Sequence, residues 1–163
     1  MTTLPAKYTR TPLRLVGFTL IELLVVVAII LIVVPVLYIS FSNYRANRAL
    51  EISAEAIADN LRMVHIYARE ANDEKAWGVR SVSDNSYDIV SGTSTTWTSE
   101  RHVELLSPIT FDANFVLWFV IGIGEKDILN SDPPHEPVRL TSPTGRSIKV
   151  NVLDTGVVEV SND

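Results

Sequence analysis

From Leu23 to Leu37 every residue of this chain is apolar, and the oily stretch reaches from Phe18 to Phe41. As a helix rising about 1.5 Å per residue, Phe18 to Ile39 spans roughly 33 Å, enough to cross a bilayer. A soluble core helix of that length carries a polar stripe, and this one has none. One ionisable residue, Glu22, interrupts it near its start. Any fold for this chain has to place that helix and account for that carboxylate.

The 163 residues leave room for one globular domain and an appendage. The hydrophobic share of 47% is high because the excess sits in the run just described, and the remainder has ordinary globular composition. Residues 1–17 hold Lys7, Arg10 and Arg14 and no acid, a charge of +3. With −5 for the whole chain, the other 146 residues carry −8. A net acidic body disfavours non-specific binding of nucleic acid, and no basic run of five appears. There is no cysteine, so disulfides, thiol nucleophiles and thiolate metal sites are excluded.

Three readings of the N-terminus compete. A secretory signal peptide needs a shorter apolar run and a small-residue cleavage site after it, and neither is present. A plain signal anchor, oriented by Lys7, Arg10 and Arg14 with the N-terminus in the cytoplasm, explains everything except Gly17 and Glu22. Gly17-Phe18-Thr19-Leu20-Ile21-Glu22, at the junction of a basic leader and an apolar helix, resembles the processing sequence of type IV prepilins. In that family a membrane aspartyl peptidase cuts after the glycine and methylates the new N-terminus, and the helix stays with the mature protein. The resemblance implies cleavage after Gly17, N-methylated Phe18 as the new N-terminus, and a mature chain of 146 residues.

Residue chemistry agrees with this reading. Gly17 has no side chain and leaves the backbone free to lie extended against a protease. Glu22 falls one helical turn after Phe18, on the same face. A carboxylate in lipid costs several kcal/mol unless neutralised or paired, and an N-terminal ammonium is its natural partner. In the family that partner is the N-terminus of a neighbouring subunit, which makes Glu22 an assembly residue that penalises mismatched packing. The alternative is a glutamate snorkelling to the headgroups. Pro35 cannot donate to the carbonyl of Leu31, so a kink or local loosening is expected there.

Beyond Phe41 the helical period continues. Ala46, Ala49, Leu50, Ser53, Ala56, Ile57, Asn60, Leu61, Val64, Ala68 and Ala71 form one small, mostly apolar stripe. Charged residues fill the other faces, so residues 42–72 read as the amphipathic half of one helix on which a domain can pack. From residue 73 the pattern turns to short β-type runs. Strands are expected near Trp77 to Val82, Tyr87 to Ser91, Arg101 to Leu106, Phe115 to Ile121, Val138 to Ser142, Ser147 to Leu153 and Val157 to Val160. Long loops are expected at Gly92 to Ser99 and Gly124 to Pro137, and hairpin turns at Ser142 to Gly145 and Asp154 to Gly156.

The predicted fold is therefore α+β: a long N-terminal helix, half membrane and half amphipathic, packed on an antiparallel β-sandwich-like domain. Leu61-Arg62, Tyr67-Ala68-Arg69-Glu70-Ala71, Trp77-Gly78-Val79, and the last hairpin from Ile148 to Val160 resemble the GspH and FimT group of minor pilins and pseudopilins. That resemblance implies a subunit of a type IV pilus or type II secretion machine. Its partners would be a prepilin peptidase/methyltransferase, other pilin or pseudopilin subunits, and membrane lipid before assembly. The globular part would then be extracytoplasmic. One alternative is a membrane-anchored protein that never polymerises.

Other chemistry in the sequence is thinner. Asp127, Asn130, Asp132 and Glu136 offer oxygen ligands for calcium, without EF-hand spacing. Arg139, Arg146 and Lys149 would form a DNA-binding face, as in DNA-capturing FimT-like pilins, if they shared one exposed surface. His65, His102 and His135 accompany no nucleophile elbow, phosphate loop or HExxH, so no active site and no cofactor are expected. Trp77 and Trp118 are expected in the core, and Trp97 at the surface in a polar loop.

Overall fold

The apolar run and the amphipathic stripe form a single helix in the computed structural model, which describes residues 19–71, 74–93, 95–127, 129–132 and 136–162. Helix α1 (Leu20–Arg69) runs through Pro35 without a break in its assignment. The chain divides into two compact units, Met1–Ile39 and Ser40–Asp163. In the described residues of the first, every residue from Thr19 to Ile39 is exposed, although a helix apolar all round is one that lipid or other protein ordinarily covers. It is long and apolar enough to cross a membrane.

In the second unit α1 buries one face: Ala46, Leu50, Ser53, Ala54, Ile57, Ala58, Asn60, Leu61, Val64 and Ala68. Small residues at five of these ten positions let the sheets approach the helix closely. Among the described residues eight strands follow: β1 (Ala76–Ser83), β2 (Ser86–Gly92), β3 (Trp97–Glu104), β4 (Thr110–Phe111), β5 (Val116–Phe119), β6 (Val138–Thr141), β7 (Ser147–Val152) and β8 (Val158–Asn162). They form two antiparallel four-stranded sheets, ordered β3-β2-β1-β5 and β4-β6-β7-β8. Period-2 alternation supplies one core face to each. Val79, Tyr87, Ile89, Leu117 and Phe119 come from the first sheet, and Phe111, Val138, Leu140, Ile148, Val150, Val152 and Val158 from the second.

Polar ties fix the helix on the sheets. Asn60 donates from Nδ2 to the buried Tyr87 hydroxyl at 2.6 Å, and Arg101 donates to Asn60 Oδ1 at 3.1 Å. The Leu106 amide donates to Ser53 Oγ. At the other end of the packed face, the loop joining β6 to β7 reaches back: Thr144 hydrogen-bonds Asn47 at 2.9 Å and Arg146 donates to Glu51 at 3.0 Å.

Three expectations need correction. β3 starts at Trp97, so 97–99 are strand and not loop, and Arg80 lies over the Trp97 ring at 4.9 Å. β5 ends at Phe119 and not at Ile121. The chain turns there through Gly122 and Gly124, with φ of 76° and 79°, and leaves Ile121 and Ile123 exposed. The two-residue β4 was not expected, and α1 stops at Arg69, short of residue 72. Trp77 and Trp118 are buried as expected.

Candidate functional site

Gly17 and Phe18 lie outside the described residues, and the first described residue is Thr19. The Thr19 carbonyl accepts the first helical hydrogen bond, from the Leu23 amide at 3.2 Å. Its hydroxyl accepts from the Glu22 amide at 3.3 Å. Thr19 is thus the N-cap of α1 and Glu22 the third residue inside it, the placement of a Thr-x-x-Glu capping box. Glu22 stands in the first turn, where the positive end of the helix dipole favours a carboxylate. The capping role of Thr19 was not among the sequence-based expectations, although the spacing that signals it is plain.

Around this cap the geometry offers no catalytic constellation. It offers an exposed apolar cylinder with one carboxylate at its tip and a proline within it. Such a surface is satisfied by lipid or by other helices, because water leaves its apolar area uncovered.

The remaining candidates are dispersed. The Asp127 carboxylate accepts from the Asn130 amide at 3.2 Å and Nδ2 at 2.6 Å, closing its own turn. Asp132 pairs through its backbone with Val116. Asp127, Asp132 and Glu136 do not converge, and among the described residues no group of three or more His, Asp or Glu side chains is arranged to hold a metal. Sheet register sets Arg139 beside Lys149 on β6 and β7. Arg146 instead turns to Glu51 and Asn162, so the three cations do not share one face. His65 packs on Phe119 and against Gly124 and Gly156, and His102 hydrogen-bonds Asp88 at 2.6 Å. His135 lies outside the described residues.

Glu51 was not among the expected site residues; it ties the helix to the start of β7. It accepts from Arg146 and, at 3.2 Å, from Arg48, and these two guanidinium groups hold its carboxyl below the usual carboxylate value, Arg146 contributing more. A depressed folded pKa means the interaction stabilises the fold fully above the unfolded value and is lost as pH falls through the folded one. The melting temperature of the detergent-solubilised chain is therefore expected to fall as pH drops from about 5 into the range below about 4. Arg146→Ala should flatten some of that decline. An unchanged acid profile in the variant would show that this ion pair contributes nothing. All three side chains are substantially exposed, so the effect is modest.

A long N-terminal helix whose second half packs on antiparallel sheets is the pilin-like α+β fold. No family model and no curated protein matches the chain. Among solved structures, it is similar to the minor pseudopilin EpsH from the type 2 secretion system of Vibrio cholerae. The alignment covers 69% of this chain and 96% of that one, with a TM-score of 0.51 and 16% identity. At that identity the likeness is one of fold.

Proposed function

We propose that the chain is a pilin-like subunit of the minor pseudopilin or minor pilin type, a structural component and not an enzyme. It is made with a leader of residues 1–17, cut after Gly17 by a prepilin peptidase, and methylated at Phe18. The helix then holds it in the membrane, with the β domain extracytoplasmic, until it joins other pilin or pseudopilin subunits in a filament. The observation that carries this reading is the capped start of α1: an all-exposed apolar helix begins at Thr19 with a lone carboxylate one turn inside. The prepilin-like residues Gly17 to Glu22 and the pseudopilin-like fold support it.

The first test is co-expression with a prepilin peptidase followed by intact-mass measurement. The expected product lacks residues 1–17 and carries one added methyl group. A full-length, unmodified chain would sink the reading and leave the non-polymerising anchored protein in its place.

A further inference from the structure

Where the apolar run ends, the exposed side of α1 changes character in a fixed order. Phe41, Tyr44, Arg45 and Arg48 follow at helical steps of three and four, so they share one face. The opposite face, from Ala46 to Leu50, is buried on the domain. Phe41 and Tyr44 are 61% and 67% exposed, and Arg45 is exposed and makes no ion pair among the described residues. Arg48 shares the single acid Glu51 with Arg146, which the β6–β7 loop delivers to the same level of the helix. Arg45, Arg48 and Arg146 against Glu51 give these four residues a charge of +2, although the chain after Gly17 is net acidic.

Two aromatic side chains followed by arginines in excess over their acid are the ordinary chemistry of a membrane boundary, with rings at the headgroups and guanidinium groups on phosphate. The helix length puts the boundary here. From Leu20, the first helical residue, to Phe41 are 21 steps, about 32 Å at 1.5 Å each, against a hydrocarbon core of about 30 Å. We propose that Phe41, Tyr44, Arg45 and Arg48, with Arg146 beside them, form a collar that binds the phosphates of anionic lipids in the leaflet facing the globular domain. This inference rests on the membrane-spanning reading above and adds to it a lipid class and the residues that select it. The aromatic pair sets the depth of the helix, and the arginines select negative headgroups.

The test uses the full chain reconstituted in phosphatidylcholine vesicles, with spin-labelled phosphatidylglycerol or phosphatidylcholine as probe. The motionally restricted fraction of each probe gives their relative affinity for the protein. The expected preference for phosphatidylglycerol is about fivefold per arginine at low salt. It should collapse in the R45Q/R48Q double variant, persist in R45K/R48K, and weaken at about 0.5 M salt, where screening is nearly complete. Both arginines are exposed and Glu51 keeps Arg146, so the double variant should hold its melting temperature. If R45Q/R48Q retains the full preference, the cations of residues 1–17 are responsible and the collar is overturned. If instead an alkaline carbonate wash strips the wild-type chain from the vesicles, the membrane-spanning reading fails first and the collar falls with it.

Discussion

Replacing Glu22 with alanine is expected to leave the chain cut after Gly17 and inserted in the membrane, yet lower its incorporation into filaments more than about a hundredfold. Removing one partner of a buried ion pair costs about 3–5 kcal/mol, because the other charge is left buried and alone. Every 1.4 kcal/mol is about a factor of ten in an equilibrium, so a filament contact made through that pair does not survive the change. The capped geometry at Thr19 supplies a necessary control. Losing the cap hydrogen bond costs only about 1 kcal/mol. Thr19→Ala should therefore weaken assembly several-fold, and Glu22→Gln, which keeps the shape of the side chain and loses its charge, should behave like Glu22→Ala. Sheared filaments, or crosslinked complexes with neighbouring pilin subunits, provide the measurement, with intact mass confirming cleavage. Normal incorporation of Glu22→Ala would show that the carboxylate serves only the helix start.

The second large effect is in the domain. Gly78 sits between β1 and β5, where it faces Trp118 in register. A Cβ built there would lie 2.5 Å from the Leu117 carbonyl oxygen and 2.9 Å from the Trp118 indole. The first obstacle is backbone, which cannot swing aside, and the second is a buried ring. Gly78→Val should therefore force β1 and β5 apart or expel the tryptophan, at a cost of about 3 kcal/mol or more. That corresponds to a melting point lower by about 10 °C, followed in detergent by circular dichroism. Gly145 is the contrast: it has a φ of 81° but open space around it, so Gly145→Ala should cost only about 1 kcal/mol. Equal losses at the two sites would mean that the close approach of Leu117 and Trp118 to Gly78 costs far less than this geometry implies.

How much the sequence reveals depends on which signal each element carries. The body of the helix was legible, though not its last turn, because a run without polar residues passes directly into a stripe with a helical period. β7 was legible because Ile148, Val150 and Val152 alternate with outward residues. The first half of β3 was not, since it is a sheet edge whose residues face water almost throughout and so show no hydrophobic period. The oily stretch after Phe119 misled in the opposite direction, because hydrophobic composition alone cannot show that Gly122 and Gly124 reverse the chain. Glu51 with Arg146, and Asn60 with Tyr87, join residues 95 and 27 positions apart. Such pairs follow from sheet register and packing, which no local pattern encodes.

The helix start at Thr19 bears on the prepilin peptidase proposed to act on this chain. With the helix capped at Thr19, regular helix begins at Leu20, the third residue after Gly17, behind which that peptidase would cut. A protease that grips its substrate as an extended strand would meet regular helix by the third residue beyond the cut. Recognition of such a substrate must then come from the leader and from the face of the first turn, or be accompanied by melting that turn and giving up its cap. The start of the helix in this way measures out how far a cutting enzyme can reach.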